Sequence, residues 1–137
     1  MRARRPVLLL LAAAALGIAA LGCGSDNSGP SNPAPPAGTY AMTSFQNPPN
    51  PTLTPPVATG TLVLTATTYD VTIDVQGQDE VHDQGTYSIS GTGWSQSSTT
   101  NPGVQSTGTF TYSLATGALT VDVTAQGIRT IAAWQKQ

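Results

Sequence analysis

The sequence predicts an all-β domain over residues 38–137. Apolar and polar residues alternate at every second position through most of this part of the chain, which is typical of strands with one wet face. Short segments rich in Gly and Thr separate the alternating runs, and threonine suits the pleated surface of a sheet. No window after the N-terminal apolar run has a helical period, so we expect a meander of about eight short strands.

The elements follow from these patterns in chain order. Five prolines in residues 47–56 lack the N–H groups of a central strand and predict a long loop after the first strand. Tight turns are predicted at Thr67-Thr68, at residues 91–93 and at residues 115–117, and the last strand at about residues 128–136. The predicted inward positions are Leu62, Leu64 and Ala66; Tyr69, Val71, Ile73 and Val75; Tyr87 and Ile89; Trp94; Phe110, Tyr112 and Leu114; and Leu119, Val121 and Val123.

Periodicity alone leaves two architectures open, a closed up-and-down barrel and a β-sandwich. The opening Gly-Thr-Tyr at residues 38–40 and the unit Asp-Gln-Gly-Thr-Tyr-Ser-Ile-Ser-Gly at residues 83–91 resemble the small lipocalin-like domains of bacterial lipoproteins. That resemblance favours the barrel. It also implies that Tyr40, where the family has Trp, closes one end of the barrel, with Arg129 as the expected cation–π partner.

The N-terminus has the layout of a bacterial lipoprotein signal. Three arginines at positions 2, 4 and 5 precede an uncharged apolar run over residues 7–21, which ends at Gly22 and Cys23, the chain's one cysteine. The run is shorter than the roughly 20 residues of a membrane span. The resemblance to the lipobox implies a signal peptide at residues 1–22, acylation of Cys23 (diacylglycerol and palmitate-type chains) and export. Gly24, in place of the aspartate typical of inner-membrane retention, favours the outer membrane.

Residues 23–37, rich in Pro, Ser, Asn and Gly, predict a disordered tether between the lipid and the β domain. Cleavage before Cys23 would leave two basic and seven acidic residues, a net charge of −5. Such a charge disfavours nucleic acid, whose phosphates require Lys and Arg. The membrane is then reached through the lipid alone, and the oligomeric state stays open.

Few residues suggest catalysis or metal binding. Asp79, Glu80, His82 and Asp83 form the one cluster of versatile side chains, and we expect a solvated hairpin loop there rather than a cation site. With Cys23 committed to lipid and a single histidine in the chain, no nucleophile with its base is apparent. We therefore expect no enzyme activity and no cofactor.

The function favoured by these observations is a lipid-anchored envelope protein whose barrel binds a small apolar or amphipathic ligand. Trp94, Tyr87 and Tyr112 are the candidate ligand contacts, although Trp94 and Trp134 are also expected as core residues. An interior filled with side chains is equally compatible with a barrel of this length. The alternative is a β-sandwich that binds polysaccharide or a protein through loops at residues 47–56 and 95–103.

Overall fold

Eight strands make up most of residues 32–137, the part of the chain that the computed structural model describes. Each strand pairs antiparallel with the next, and the first also pairs with the last, so the sheet closes into an up-and-down barrel. This confirms the predicted barrel and excludes the sandwich. Within the described residues no helix is long and apolar enough to cross a membrane. The strands are β1 (Gly38–Gln46), β2 (Ala58–Leu64), β3 (Thr68–Val75), β4 (Val81–Ser90), β5 (Gly93–Ser98), β6 (Gln105–Tyr112), β7 (Ala118–Ala125) and β8 (Ile128–Lys136).

The two ends of the barrel differ. The short turns at residues 65–67, 91–92 and 113–117 lie at one end, together with the chain that enters β1, and we name this the closed end. The loops at residues 47–57, 76–80 and 99–104 and the turn at 126–127 lie at the other, which we name the open end. Period-two alternation directs the core side chains inward along every strand.

Residues 32–37 pack against the closed end. The Asn32 amide donates to the backbone oxygen of Phe110 at 2.5 Å and accepts from the backbone N–H of Tyr112 at 2.8 Å. The pairing of β6 with β5 ends at Thr109, so the oxygen of Phe110 and the N–H of Tyr112 have no partner in β5. The side-chain amide of Asn32 provides a hydrogen-bond partner for both backbone groups. Pro35 is buried, and the Tyr40 hydroxyl donates to the backbone oxygen of Pro36 at 2.6 Å. This last part of the predicted tether belongs to the folded domain, while residues 23–31 lie outside the described residues.

Two predicted inward positions are wrong. Ala66 and Leu114 lie in turns rather than in strands, and Leu114 is 74% exposed. At the first site the Thr65 hydroxyl accepts from the backbone N–H groups of Thr67 and Thr68, so the reversal begins earlier than predicted. At the second, the backbone N–H of Gly117 donates to the oxygen of Ser113 and closes a five-residue turn. Side-chain alternation continues through such turns in the sequence and does not reveal where pairing stops.

The proline-rich loop at residues 47–57 is present as predicted, and it is fixed at the open end. Phe45 and Leu53 exchange backbone hydrogen bonds of 2.9 and 2.8 Å, which adds a single β-bridge across the loop. The Asn47 side chain donates to the backbone oxygen of Arg129 at 3.0 Å and to the Thr130 hydroxyl at 2.8 Å. The loop therefore joins β1 to β8 at the rim of the barrel.

Candidate binding cavity

Aromatic side chains fill the half of the barrel next to the closed end. Tyr87 and Trp94 stack with their ring centroids 4.7 Å apart, and Phe110 meets Trp94 at 5.9 Å in a tilted arrangement. Tyr40 and Tyr112 complete this layer, with exposed fractions of 0% and 8%. Because the rings occupy the space that a barrel of this size offers, this half of the interior is solid.

The other half of the interior contains a cavity of about 90 Å³. Its floor is formed by Trp94 and Trp134, whose exposed fractions are only 2% and 3%. Its walls rise toward the open end, where Ile73 and Val123 are half-buried and so reachable from solvent. The lining is mostly apolar and comprises Leu62, Tyr69, Val71, Ile73, Trp94, Gln96, Val121, Val123, Thr130, Ala132 and Trp134.

One side of the cavity carries a line of hydrogen-bonded polar side chains. The Trp94 indole N–H donates to Gln96 Oε1 at 2.8 Å. Nearby, the Tyr69 hydroxyl donates to Asp83 Oδ2 at 2.8 Å, and the Ser98 hydroxyl donates to Asp83 Oδ1 at 2.5 Å. Burial, followed by the hydrogen bond to the Asp83 carboxylate, raises the pKa of Tyr69 well above its usual range. Tyr69 therefore remains a neutral donor at physiological pH.

Of the three predicted ligand contacts, one lines the cavity and two do not. Trp94 is a core residue, as expected, and it also faces the cavity. Tyr87 and Tyr112 lie in the solid layer beneath and do not line the cavity. Trp134, predicted only as core, forms the other part of the floor. Alternation identified these residues as inward-facing, but their height within the barrel depends on strand register, which the sequence pattern does not give.

Tyr40 and Arg129 are not brought together. Arg129 lies at the open end, where its Nε and Nη2 donate to the two carboxylate oxygens of Asp122 at 2.9 and 2.6 Å. Lys136, paired in register with Tyr40, places its ammonium 5.9 Å from the centroid of that ring. Tyr40 lies at the closed end, and the basic side chain over its ring comes from the end of β8 opposite to Arg129.

The structure separates the side chains of the acidic segment at residues 79–83. The strand β4 begins at Val81, so His82 and Asp83 point to opposite faces of the barrel wall. His82 Nε2 lies 2.9 Å from Asp70 Oδ1 on the outside, whereas Asp83 faces inward toward Tyr69. Among residues 32–137 no three His, Cys, Asp or Glu side chains converge as metal ligands would. Cys23, the predicted lipidation site, lies outside the described residues.

Comparisons with known proteins do not identify a family for this chain. No protein-family model matches the chain, and no curated protein matches it. Among solved structures, a mutant of the fluorescent protein UnaG is similar with a TM-score of 0.40 and 12% sequence identity, covering 74% of this chain and 95% of that chain. A resemblance this distant does not indicate a ligand.

Proposed function

We propose that this barrel binds a small apolar or amphipathic molecule whose apolar end enters the cavity above Trp94 and Trp134. The observation that carries the proposal is the half-filled interior, in which a solid aromatic layer supports an apolar cavity open at one end. Apolar cavities stay poorly hydrated and take up apolar guests, and a void of about 150 Å³ is enough for benzene. With about 90 Å³, this cavity suits the end of an alkyl chain or a small ring.

The shape of the cavity favours a ligand that is only partly enclosed. Ligand pockets for drug-sized molecules are typically about 300–1,000 Å³, several times larger than this one. Val81 and Ile128 at the rim are 55% and 63% exposed and would extend the apolar contact beyond the cavity. The polar end of an amphipathic ligand would then lie at the open end, among solvent and the polar rim.

A titration with 1-octanol tests this proposal through the chain's own fluorescence. Both tryptophans of the chain line the cavity, so an apolar guest should change their emission. The protein used is the full chain carrying Cys23→Ser, which prevents acylation. We expect saturable binding by the unfilled barrel, and the absence of any saturable change in emission would contradict the proposal.

A pair of variants on β8 locates the binding. Ala132→Leu adds three carbon atoms inside the cavity, whereas Ala133→Leu adds the same atoms on the outer face. We expect Ala132→Leu to weaken octanol binding at least about tenfold, since it occupies the space that the guest requires. Ala133→Leu should bind octanol as the parent does. Equal affinity in both variants would place the bound octanol elsewhere, and unfolding midpoints would verify that both remain folded.

We further propose that Cys23 carries a lipid that anchors the protein to the cell envelope, in the outer membrane if the cell has one. The proposal is supported by the sequence of residues 1–24 alone. Residues 32–37 contact the closed end of the barrel, so the anchored segment would join the barrel at that end. Mass spectrometry of envelope protein should find an N-terminal peptide that starts at acylated Cys23. A chain that starts at Met1 or bears a free thiol would contradict the anchor, and Cys23→Ser should abolish the modification.

A further inference from the structure

The hydrogen-bonded polar side chains beside the cavity include a carboxylate, Asp83. Asp83 lies opposite Val71 in the β3–β4 register, and Val71 lines the cavity, so the carboxylate belongs to the inner face of the barrel. Tyr69 and Ser98, which donate to it, are only 3% and 6% exposed and hold it in one orientation. Asp83 itself does not line the cavity, but it is half-buried near the start of β4 at the open end, and it bonds to Tyr69, which does line the cavity.

This carboxylate has acceptor capacity left over. Each oxygen of an ionised carboxylate can accept about two hydrogen bonds, and here each accepts one from a side chain. The two ion pairs within residues 32–137 join His82 to Asp70 and Arg129 to Asp122. Asp83 thus faces the inside of the barrel with neutral donors around it, and no cation of the described residues is paired with it.

The other charged side chains around the open end are mostly acidic. Asp74, Asp79 and Glu80 lie on the β3–β4 hairpin beside Asp83, and none of them is in either ion pair. The basic side chain at this end, Arg129, is held by both oxygens of Asp122 on the outer face. The other described basic residue, Lys136, lies at the closed end over Tyr40. Among residues 32–137, carboxylates therefore outnumber basic side chains at the open end, and the arginine there is already paired.

We propose that Asp83 determines which ligands the cavity accepts, favouring amphipathic amines whose cationic end pairs with this carboxylate. The inference rests on the proposed function, because the alkyl part must occupy the cavity above Trp94 and Trp134. The ammonium of the ligand donates to the Asp83 oxygens, a charge-assisted bond stronger than a neutral one. An anionic ligand of the same length is disfavoured, since its carboxylate would lie beside Asp83 with no cation to neutralise either group.

Three ligands of one chain length separate charge from apolar binding: octylamine, 1-octanol and octanoate, cationic, neutral and anionic near pH 7. Tryptophan fluorescence titrations of the full chain carrying Cys23→Ser should give affinities in the order octylamine, octanol, octanoate. We expect octylamine to bind about tenfold more tightly than octanol, equivalent to about 1.4 kcal/mol. Equal affinities for the three, or tighter binding of octanoate, would overturn the inference while leaving the proposed function intact. Failure of all three to bind would instead overturn the proposed function.

Asp83→Asn assigns the preference to one residue. The amide oxygen still accepts a hydrogen bond but carries no charge, so octylamine should lose its advantage and bind about as octanol does. The unfolding midpoint of Asp83→Asn verifies that the barrel remains folded, and the readout is the ratio of octylamine to octanol affinity within that variant, which should fall from about ten to about one. Asp74→Asn is the matched control, as it removes one negative charge at the same end from an exposed, outward position. If both variants weaken octylamine equally, the general charge of the surface sets the preference and the assignment to Asp83 is wrong.

Discussion

Three tyrosines keep their phenol protons inside the barrel. Tyr40 donates to the backbone oxygen of Pro36 at 2.6 Å, Tyr87 to that of Thr65 at 2.7 Å, and Tyr69 to Asp83. Burial is the largest cause that raises the pKa of Tyr40 to about 12, with neighbouring Tyr112 adding to it, and burial also raises the pKa of Tyr69 and Tyr87. The phenol groups are therefore built into the fold as neutral donors.

These raised pKa values predict a loss of stability at alkaline pH. Between pH 10 and about 12 the unfolded chain releases tyrosine protons that the folded barrel retains, so the free energy of unfolding falls as pH rises. The expected slope is up to about 1.4 kcal/mol per pH unit for each such tyrosine, and the contribution is fully present below pH 10. Urea denaturation from about pH 8 to pH 11.5 measures the slope, and Tyr40→Phe should reduce it. A free energy of unfolding that does not change over this range would contradict the account.

For single residues, the sequence predicts whether a side chain faces the inside of the barrel better than it predicts its hydrogen-bond partners. Alternation places Tyr69 and Tyr87 on the inner face, and the structure agrees. It does not predict that Tyr69 bonds to Asp83, 14 residues away, because that contact depends on the β3–β4 register. The sequence predicts a solvated loop around Asp83, because Asp79, Glu80, His82 and Gln84 near it are all polar or charged.

At the scale of the strands, inward-facing glycines allow close approach of neighbouring backbones, most closely at Gly85 and Gly108. A Cβ atom on Gly85 would overlap the carbonyl oxygen of Ser97, and one on Gly108 would overlap that of Asp122 and lie 2.8 Å from the Cα of Val123. Glycine inside a strand is typical of tight bends in barrels, where any side chain would collide with the adjacent strand. These positions therefore help β4 and β6 to curve as closure requires.

Gly108→Ala should accordingly destabilise the barrel. The added methyl group meets backbone atoms of β7 rather than a flexible side chain, so relief requires the strands to separate. We expect a loss of about 1–3 kcal/mol in the free energy of unfolding, the usual range for overpacking. Thr107→Ala, on the exposed face one residue earlier, is the control and should cost much less. Equal losses in the two variants would show that β6 and β7 are not in close contact at Gly108.

The sequence pattern predicted which strands and loops exist better than it predicted the residues at which they begin and end. The prolines of residues 47–56 correctly predicted a loop, and residues 128–136 correctly predicted the last strand. The bridge between Phe45 and Leu53 and the burial of Pro35 were not predicted. Both involve short segments that pack because of where the barrel ends lie, and no local pattern encodes that position.

For the whole molecule, closure and unequal filling are the main features. The pairing of β1 with β8 leaves no unpaired strand edge in the barrel, which removes the usual site of edge-to-edge association. Large aromatic residues fill the closed end, while aliphatic residues with Tyr69, Gln96 and Thr130 surround the cavity toward the open end. From the sequence, both a filled and a hollow interior were possible. The structure has both, because the strand register places the large aromatic rings in one layer near the closed end and leaves a cavity above it.

The central claim, that an alkyl chain enters the cavity above the two tryptophans, is tested most directly by crystallography with a heavy-atom ligand. The chain carrying Cys23→Ser would be crystallised with 1-octanol bearing bromine on its terminal carbon, and the bromine located by anomalous scattering. We predict a peak inside the barrel between Trp94, Trp134 and Val121, with the hydroxyl toward the open end. Crystals grown at a saturating ligand concentration that show no anomalous peak in the cavity, or peaks on the outer surface alone, would contradict the account.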